Sequence, residues 1–248
     1  MGGVSTRKLV YDVRRKANLL ITGQSNDVPN VDIIAYLNQF QELWFNNAVK
    51  EAERNQEASN ELRTFLVPAY KLTLQKIDGK TSYAKYPENL HTRLNQIAVA
   101  SEPECCEDLQ KEIIIQVLQS DDIHPARKNT FQRSSFPFER LIATVGEDGL
   151  IIYHDGYLNV DEVKIDYYRR PGALHAPSLE ICDGPYYYLY NGDIITADTD
   201  FEANNVYSDN FISDGAVLLI KADKGDVQGY QTQVTKFLQT RGLYSVKD

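Results

Sequence analysis

Between Val160 and Pro171 the chain reads Val-Asp-Glu-Val-Lys-Ile-Asp-Tyr-Tyr-Arg-Arg-Pro. Val163, Ile165 and Tyr167 alternate with Lys164, Asp166 and Tyr168. A period of two predicts a strand with one buried face. Pro171 has no amide hydrogen to give to a ladder, so the strand ends there, with Arg169 and Arg170 at its exit. A strand buried on one side needs partners, and this requirement constrains the fold more than any other feature of the chain.

Partners are available upstream. Residues 70–77 alternate apolar and polar and run into an Asp78-Gly79 turn. Residues 94–100, the β-branched run at 112–118, and 139–145 read as further strands. Glu147-Asp148-Gly149 turns the chain into a short strand at 150–153, and Asp155-Gly156 turns it again. Residues 121–137, polar and holding Pro125 and Pro137, read as an exposed loop. The expectation is an antiparallel sheet or small sandwich over 69–178.

Helices are expected at both ends. Leu9, Val13, Ala17 and Leu20 form an apolar stripe on a first helix that Ser5 or Thr6 can cap. Ile33, Leu37, Phe40, Trp44 and Ala48 follow at three- and four-residue steps on a second, capped by Asn30 or Asp32 and running to about residue 55. A short third helix is expected over 57–66, with Pro68 ending the helical region. Residues 186–190 read as a strand, and helical spacing returns at Ala216, Leu219 and Ile220 and again at Val234, Phe237 and Leu238. The class is therefore α+β: a helical region over 1–68 packed with the sheet, then a tyrosine-rich segment and C-terminal helix over 179–248. That last part is compatible with joining 1–68 as one domain.

Composition narrows the function. A hydrophobic fraction of 42% and a charged fraction of 25% are ordinary for a globular chain. No apolar run reaches the roughly 20 residues that span a bilayer, so no membrane association is expected. A net charge of −9 disfavours nucleic-acid binding by the chain as a whole. Three cysteines, two of them adjacent (Cys105 and Cys106), offer no disulfide framework and point to a reducing cytoplasm. His91, His124, His154 and His175 are scattered without zinc-like spacing, and there is no nucleophile elbow, metalloprotease helix or phosphate-binding glycine loop. No catalysis, cofactor or metal is expected.

Four blocks resemble a known family. They are the helix at 31–42, residues 113–123 with Phe136-Pro137, the run from Leu150-Ile151-Ile152-Tyr153 into 163–171, and 214–221 followed by Tyr230-Gln231-Thr232-Gln233. Together they resemble the ring, or adaptor, proteins of the head–tail connector in tailed bacteriophages, of the crAss-like type. The chain departs from that pattern over 182–210, which is longer and rich in tyrosine. The resemblance implies a virion structural protein at the neck, made in the host cytoplasm. Such subunits form rings of about twelve copies, a heterologous interface closed by rotation. The implied partners are further copies of the chain, the portal, neighbouring ring or tail proteins, and genomic DNA passing through without sequence-specific contacts.

Interface candidates follow. Trp44 is either core or an anchor between subunits. Arg169 and Arg170 meet DNA phosphate, an acidic neighbour or solvent. Phe131 and Phe136 lie in the expected exposed loop. Tyr186 and Tyr188 share one face of a tyrosine-rich strand that suits core packing, a protein partner or sugar stacking. That cluster, among 16 tyrosines, leaves a carbohydrate-binding β-sandwich module, or another phage neck or tail protein, as the alternative. Asp198, Asp200 and Glu202 carry the hard oxygens calcium takes, but lack EF-hand spacing and read more simply as a solvated acidic loop.

Overall fold

The computed structural model describes residues 4–20, 28–102, 110–176, 188–190, 193–195, 200–201 and 208–223. The fold is α+β, with helices at both ends of the chain and a central, nearly closed β-sheet. Two compact units emerge, one from residues 1–64 with 171–248 and one from residues 65–170.

The helical unit begins with β1 (Val4–Ser5), α1 (Thr6–Leu20), α2 (Asn30–Ala52) and α3 (Gln56–Glu61), which tightens into a 3-10 turn at Leu62–Thr64. Ser5 Oγ accepts the Lys8 amide at 3.4 Å, as a capping serine does. Pro29, not Asn30 or Asp32, precedes the first turn of α2, and no side chain caps it.

The second unit starts at β2 (Leu66–Lys71). It continues through β3 (Thr73–Lys76), β4 (Thr81–Lys85), β5 (Leu90–Ser101), β6 (Gln110–Leu118), α4 (Ser120–Lys128), β7 (Leu141–Val145), β8 (Gly149–Tyr153) and β9 (Asn159–Arg169). The strands form one sheet in the order β2-β9-β5-β6-β7-β8-β4-β3. Its two ends, β2 and β3, are separated in the chain only by Leu72. The ends therefore meet, and the sheet curls into a barrel. Of the sheet and the sandwich left open by the sequence, a single curled sheet forms. Its interior is filled by alternate residues, among them Val163, Ile165 and Tyr167 of β9. Ala84, Ala98, Ala100 and Ala143 are fully buried among them, as a narrow barrel requires. Tyr168, expected on the opposite face of β9, is buried too.

Two local readings are corrected. Residues 70–77 are not one strand. Pro68 and Ala69 make a bulge in β2, where Ala69 has φ of 48° and its amide reaches Asp166 Oδ1 at 2.7 Å. After Leu72 the chain changes partner, from β9 to β4. Residues 121–137 are not all loop, because α4 occupies their first half. Asp121 and Asp122 in its first turn and Arg127 and Lys128 in its last complement the helix dipole. Ile123 and Ala126 bury against Ile142 on the outer face of β7, which outweighs Pro125. This helix is also the crossover that lets β6 and β7 pair in parallel, in a sheet otherwise antiparallel.

Beyond the barrel the chain returns to the helical unit. Asn38 on α2 holds Leu174 by two hydrogen bonds, 2.7 Å from its amide and 3.0 Å to its carbonyl. The buried Gln41 donates to Gly172 O at 2.8 Å. A hairpin of β10 (Tyr188–Tyr190) and β11 (Asp193–Ile195) follows, then β12 (Asp200–Phe201), which pairs with β1, and α5 (Ser208–Asp223). The expected break at 224–226 and the stripe at Val234, Phe237 and Leu238 lie outside the described residues.

Helix α5 packs on α1 and α2 through Phe211, Ile212, Ala216 and Ile220. Phe40 and Phe211 meet edge to face at 5.4 Å. At Gly215 the α5 backbone lies against the Phe40 ring so closely that a Cβ would overlap it. In an open helix Gly215→Ala would gain about 1 kcal/mol from propensity. Here overpacking dominates, and we expect a net loss of about 1–3 kcal/mol in a urea titration, against little change for Gly79→Ala, whose site is open.

Candidate interaction site

The loop between α4 and β7 is held from below and from the side. Asn129 Oδ1 accepts the Phe131 amide at 3.0 Å, closing a local turn. Ser135 and Arg140 exchange both backbone hydrogen bonds, at 2.8 and 3.0 Å. The hydroxyl of the fully buried Ser134 donates to the Tyr153 carbonyl and accepts the Ile142 amide. Phe136 sinks into the barrel core at 2% exposure, with Lys111 over its ring at 5.2 Å.

That anchoring leaves two phenylalanines outside. Phe131 is 79% exposed and Phe138 is 71% exposed. Next to this loop is the β8–β9 turn, where Asp155 and Gly156 both have positive φ and the Tyr157 amide bonds His154 O at 2.9 Å. Positive φ at both central residues is what Asp-Gly tolerates, and here the turn links two strands that pair with other neighbours rather than with each other. Arg127 of α4 grips the Asp155 carboxylate through Nε and Nη2 and lies over the Tyr153 ring at 4.7 Å. Arg133 stacks on Tyr157 at 4.1 Å and bonds its hydroxyl at 2.6 Å, tying loop to turn.

Single exposed apolar residues are ordinary. Two phenylalanines on one pinned loop, beside a stacked Arg–Tyr pair, are not. Aromatic and arginine side chains that lose little entropy on docking are what the centre of a protein interface uses.

The sequence candidates divide. Phe131 is exposed as expected, whereas Phe136 is core, because the loop needs one apolar anchor. Trp44 is buried on α2, edge to face with Phe45 at 6.4 Å. Arg169 covers the buried Phe65 ring at 5.5 Å and its amide bonds Phe65 O, so its cation packs where the chain enters and leaves the barrel. Arg170 is exposed. The backbone of Tyr188 lies in β10, while Tyr186, Asp198 and Glu202 lie outside the described residues. Phe138, Arg133 and Tyr157 were not singled out from sequence; the Phe-Pro-Phe run at 136–138 was the available signal.

Among the described residues, one buried contact pairs a serine hydroxyl with an imidazole inside the barrel unit. Ser82 Oγ and His154 Nε2 are 3.4 Å apart. Both residues are buried, and His154 Nδ1 makes no hydrogen bond. Among the described residues no group of three or more His, Cys, Asp or Glu side chains is arranged to hold a metal. No helix among them is long and apolar enough to cross a membrane. No family model matches the chain, and no curated protein is significantly similar to it.

Two outcomes are expected. Phe136→Ala loses about 3–5 kcal/mol by denaturant titration, against no more than about 0.5 kcal/mol for Phe131→Ala. Burial holds the His154 imidazole below its ordinary range, against the opposing pull of Asp155 and Asp78, and burial lowers His175 as well. A base with a depressed folded pKa leaves the unfolded state binding more protons. Its stabilisation is complete above the unfolded pKa and is lost as pH falls below it. The urea midpoint should therefore fall on acidification from pH 7, and an NMR titration of His154 should place its midpoint below that of a free histidine.

Proposed function

We propose that this chain is a non-enzymatic virion structural protein, a subunit of a head–tail connector ring between portal and tail. The pinned aromatic loop carrying Phe131 and Phe138 supports the reading most directly, since rigid exposed aromatics suit a docking surface. The four-block resemblance supplies the assembly. A ring subunit needs two unlike lateral faces.

Native mass spectrometry of the purified chain, alone and with the portal protein of the same phage, tests this. A discrete ring near twelve copies, or a stoichiometric portal complex, is the expected outcome. Phe131→Ala with Phe138→Ala should reduce that assembly at least tenfold while leaving the thermal midpoint nearly unchanged. A chain that stays monomeric and ignores the portal would overturn the proposal.

A further inference from the structure

His154 follows the last residue of β8 and opens the β8–β9 turn, yet it is only 7% exposed. Its amide and that of Asp155 both donate to Lys80 O in the β3–β4 turn, at 3.0 Å each. Its carbonyl accepts the Tyr157 amide within its own turn. On the ring, Nε2 meets the buried Ser82 Oγ of β4 at 3.4 Å, and Nδ1 meets no hydrogen-bonding group. One residue thus ties β4, β8 and two turns together, at the barrel end that carries the aromatic loop. The charges acting on the ring are Asp78 in the β3–β4 turn, Lys76 on β3 and the adjacent Asp155, whose carboxylate Arg127 of α4 holds. None of them supplies an acceptor to Nδ1.

We propose that His154 is an acid-sensitive latch, whose protonation releases the β8–β9 turn and with it the side support of the aromatic loop. A neutral imidazole carries one N–H, and Ser82 Oγ is placed to accept it. The imidazolium carries two, so one donor is left unmet and a charge is left buried. Both are costly inside the barrel, and both are relieved when the ring turns out to water. The turn is the nearest exit, because Gly156 and Tyr157 are exposed whereas Leu158 and Val160 re-enter the core. Opening breaks the two bonds to Lys80 O and draws Asp155 from Arg127 and Tyr157 from Arg133. Phe136 still anchors the loop from below, but Phe131 and Phe138 lose their lateral ties. Burial keeps the ring neutral at pH 7, and an exposed histidine takes up its proton near pH 6.5, so the latch opens as the pH falls through that value. Asp78 is not the trigger, since the Lys80 amide holds its carboxyl below the ordinary carboxylate range. Only the consequence for assembly, weaker docking in acid, rests on the connector reading.

The test is amide hydrogen exchange of the full-length chain, read by mass spectrometry at about pH 6.5 and about pH 5.5 and corrected for the intrinsic rate at each pH. The His154 and Asp155 amides report the latch. The Gly146 amide, bonded to Gly149 O at 2.8 Å in the turn at the other end of β7 and β8, is the control. One proton coupled to opening lowers protection by up to about tenfold per pH unit. A fall of at least about threefold is expected at His154 and Asp155, with none at Gly146. His154→Gln, which cannot take up a proton in this range, should abolish the fall. Should that variant fail to fold by circular dichroism, the contrast between the two turns of the unaltered chain still decides. Unchanged protection at His154 and Asp155, an equal fall at Gly146, or a fall that persists in folded His154→Gln overturns the proposal. A ring seen by native mass spectrometry without the local fall removes the latch and leaves the connector reading. The local fall in a chain that forms no ring does the reverse.

Discussion

Leu72 is the residue on which the barrel depends. Before it the chain pairs with β9, and after it with β4, at opposite ends of the strand order. Its amide still donates to Val163 O at 2.8 Å, so the β9 ladder continues to the point of exchange. Its side chain is 6% exposed, inside the barrel core. One residue cannot span a gap, so the two ends of the sheet have to meet there. The curl that results brings β2 and β3, the two edges of the sheet, next to each other at Leu72. It also creates an interior too narrow for large side chains at every level, which is why four alanines line it.

Strand β9 links closure to the rest of the chain. It pairs with β2 on one side and β5 on the other, so the chain enters and leaves the barrel on adjacent strands. Phe65 and Arg169 mark that doorway. Because entry and exit are neighbours, the segments before and after the barrel can form a unit of their own, and they do. The helical unit then depends on a close approach between α2 and α5, made possible by the missing side chain at Gly215. The clasp from Tyr36 on α2 to Asp223 on α5, at 2.6 Å, reinforces the same pair and holds the phenol up at about 12.

The aromatic loop has its character because of the barrel behind it. Phe136 occupies core space, Ser134 satisfies a carbonyl and an amide that would otherwise be buried unpaired, and Arg127 fixes the neighbouring turn through Asp155. Phe131 and Phe138 are displayed rather than left over. A loop held this way has little conformational entropy left to lose.

The sequence by itself determined the periodic elements. Alternation identified β9, the apolar stripes identified α1, α2 and the return to helix near the C-terminus, and Asp155-Gly156 identified its turn, because each depends on side chains a few residues apart. Strand β4 was not legible, since Thr81–Lys85 has no large aliphatic residue, and α4 was hidden by Pro125. Only the tertiary structure decided that β6 and β7 run parallel, that β2 and β3 close the sheet, and that Trp44 is core. Most telling are Phe131 and Phe136, the same residue type in one loop, one 79% exposed and the other 2%. Burial is set by what comes to lie over a side chain. In this barrel those neighbours arrive from strands distant in the chain, as when the Ala69 amide finds the carboxylate of Asp166.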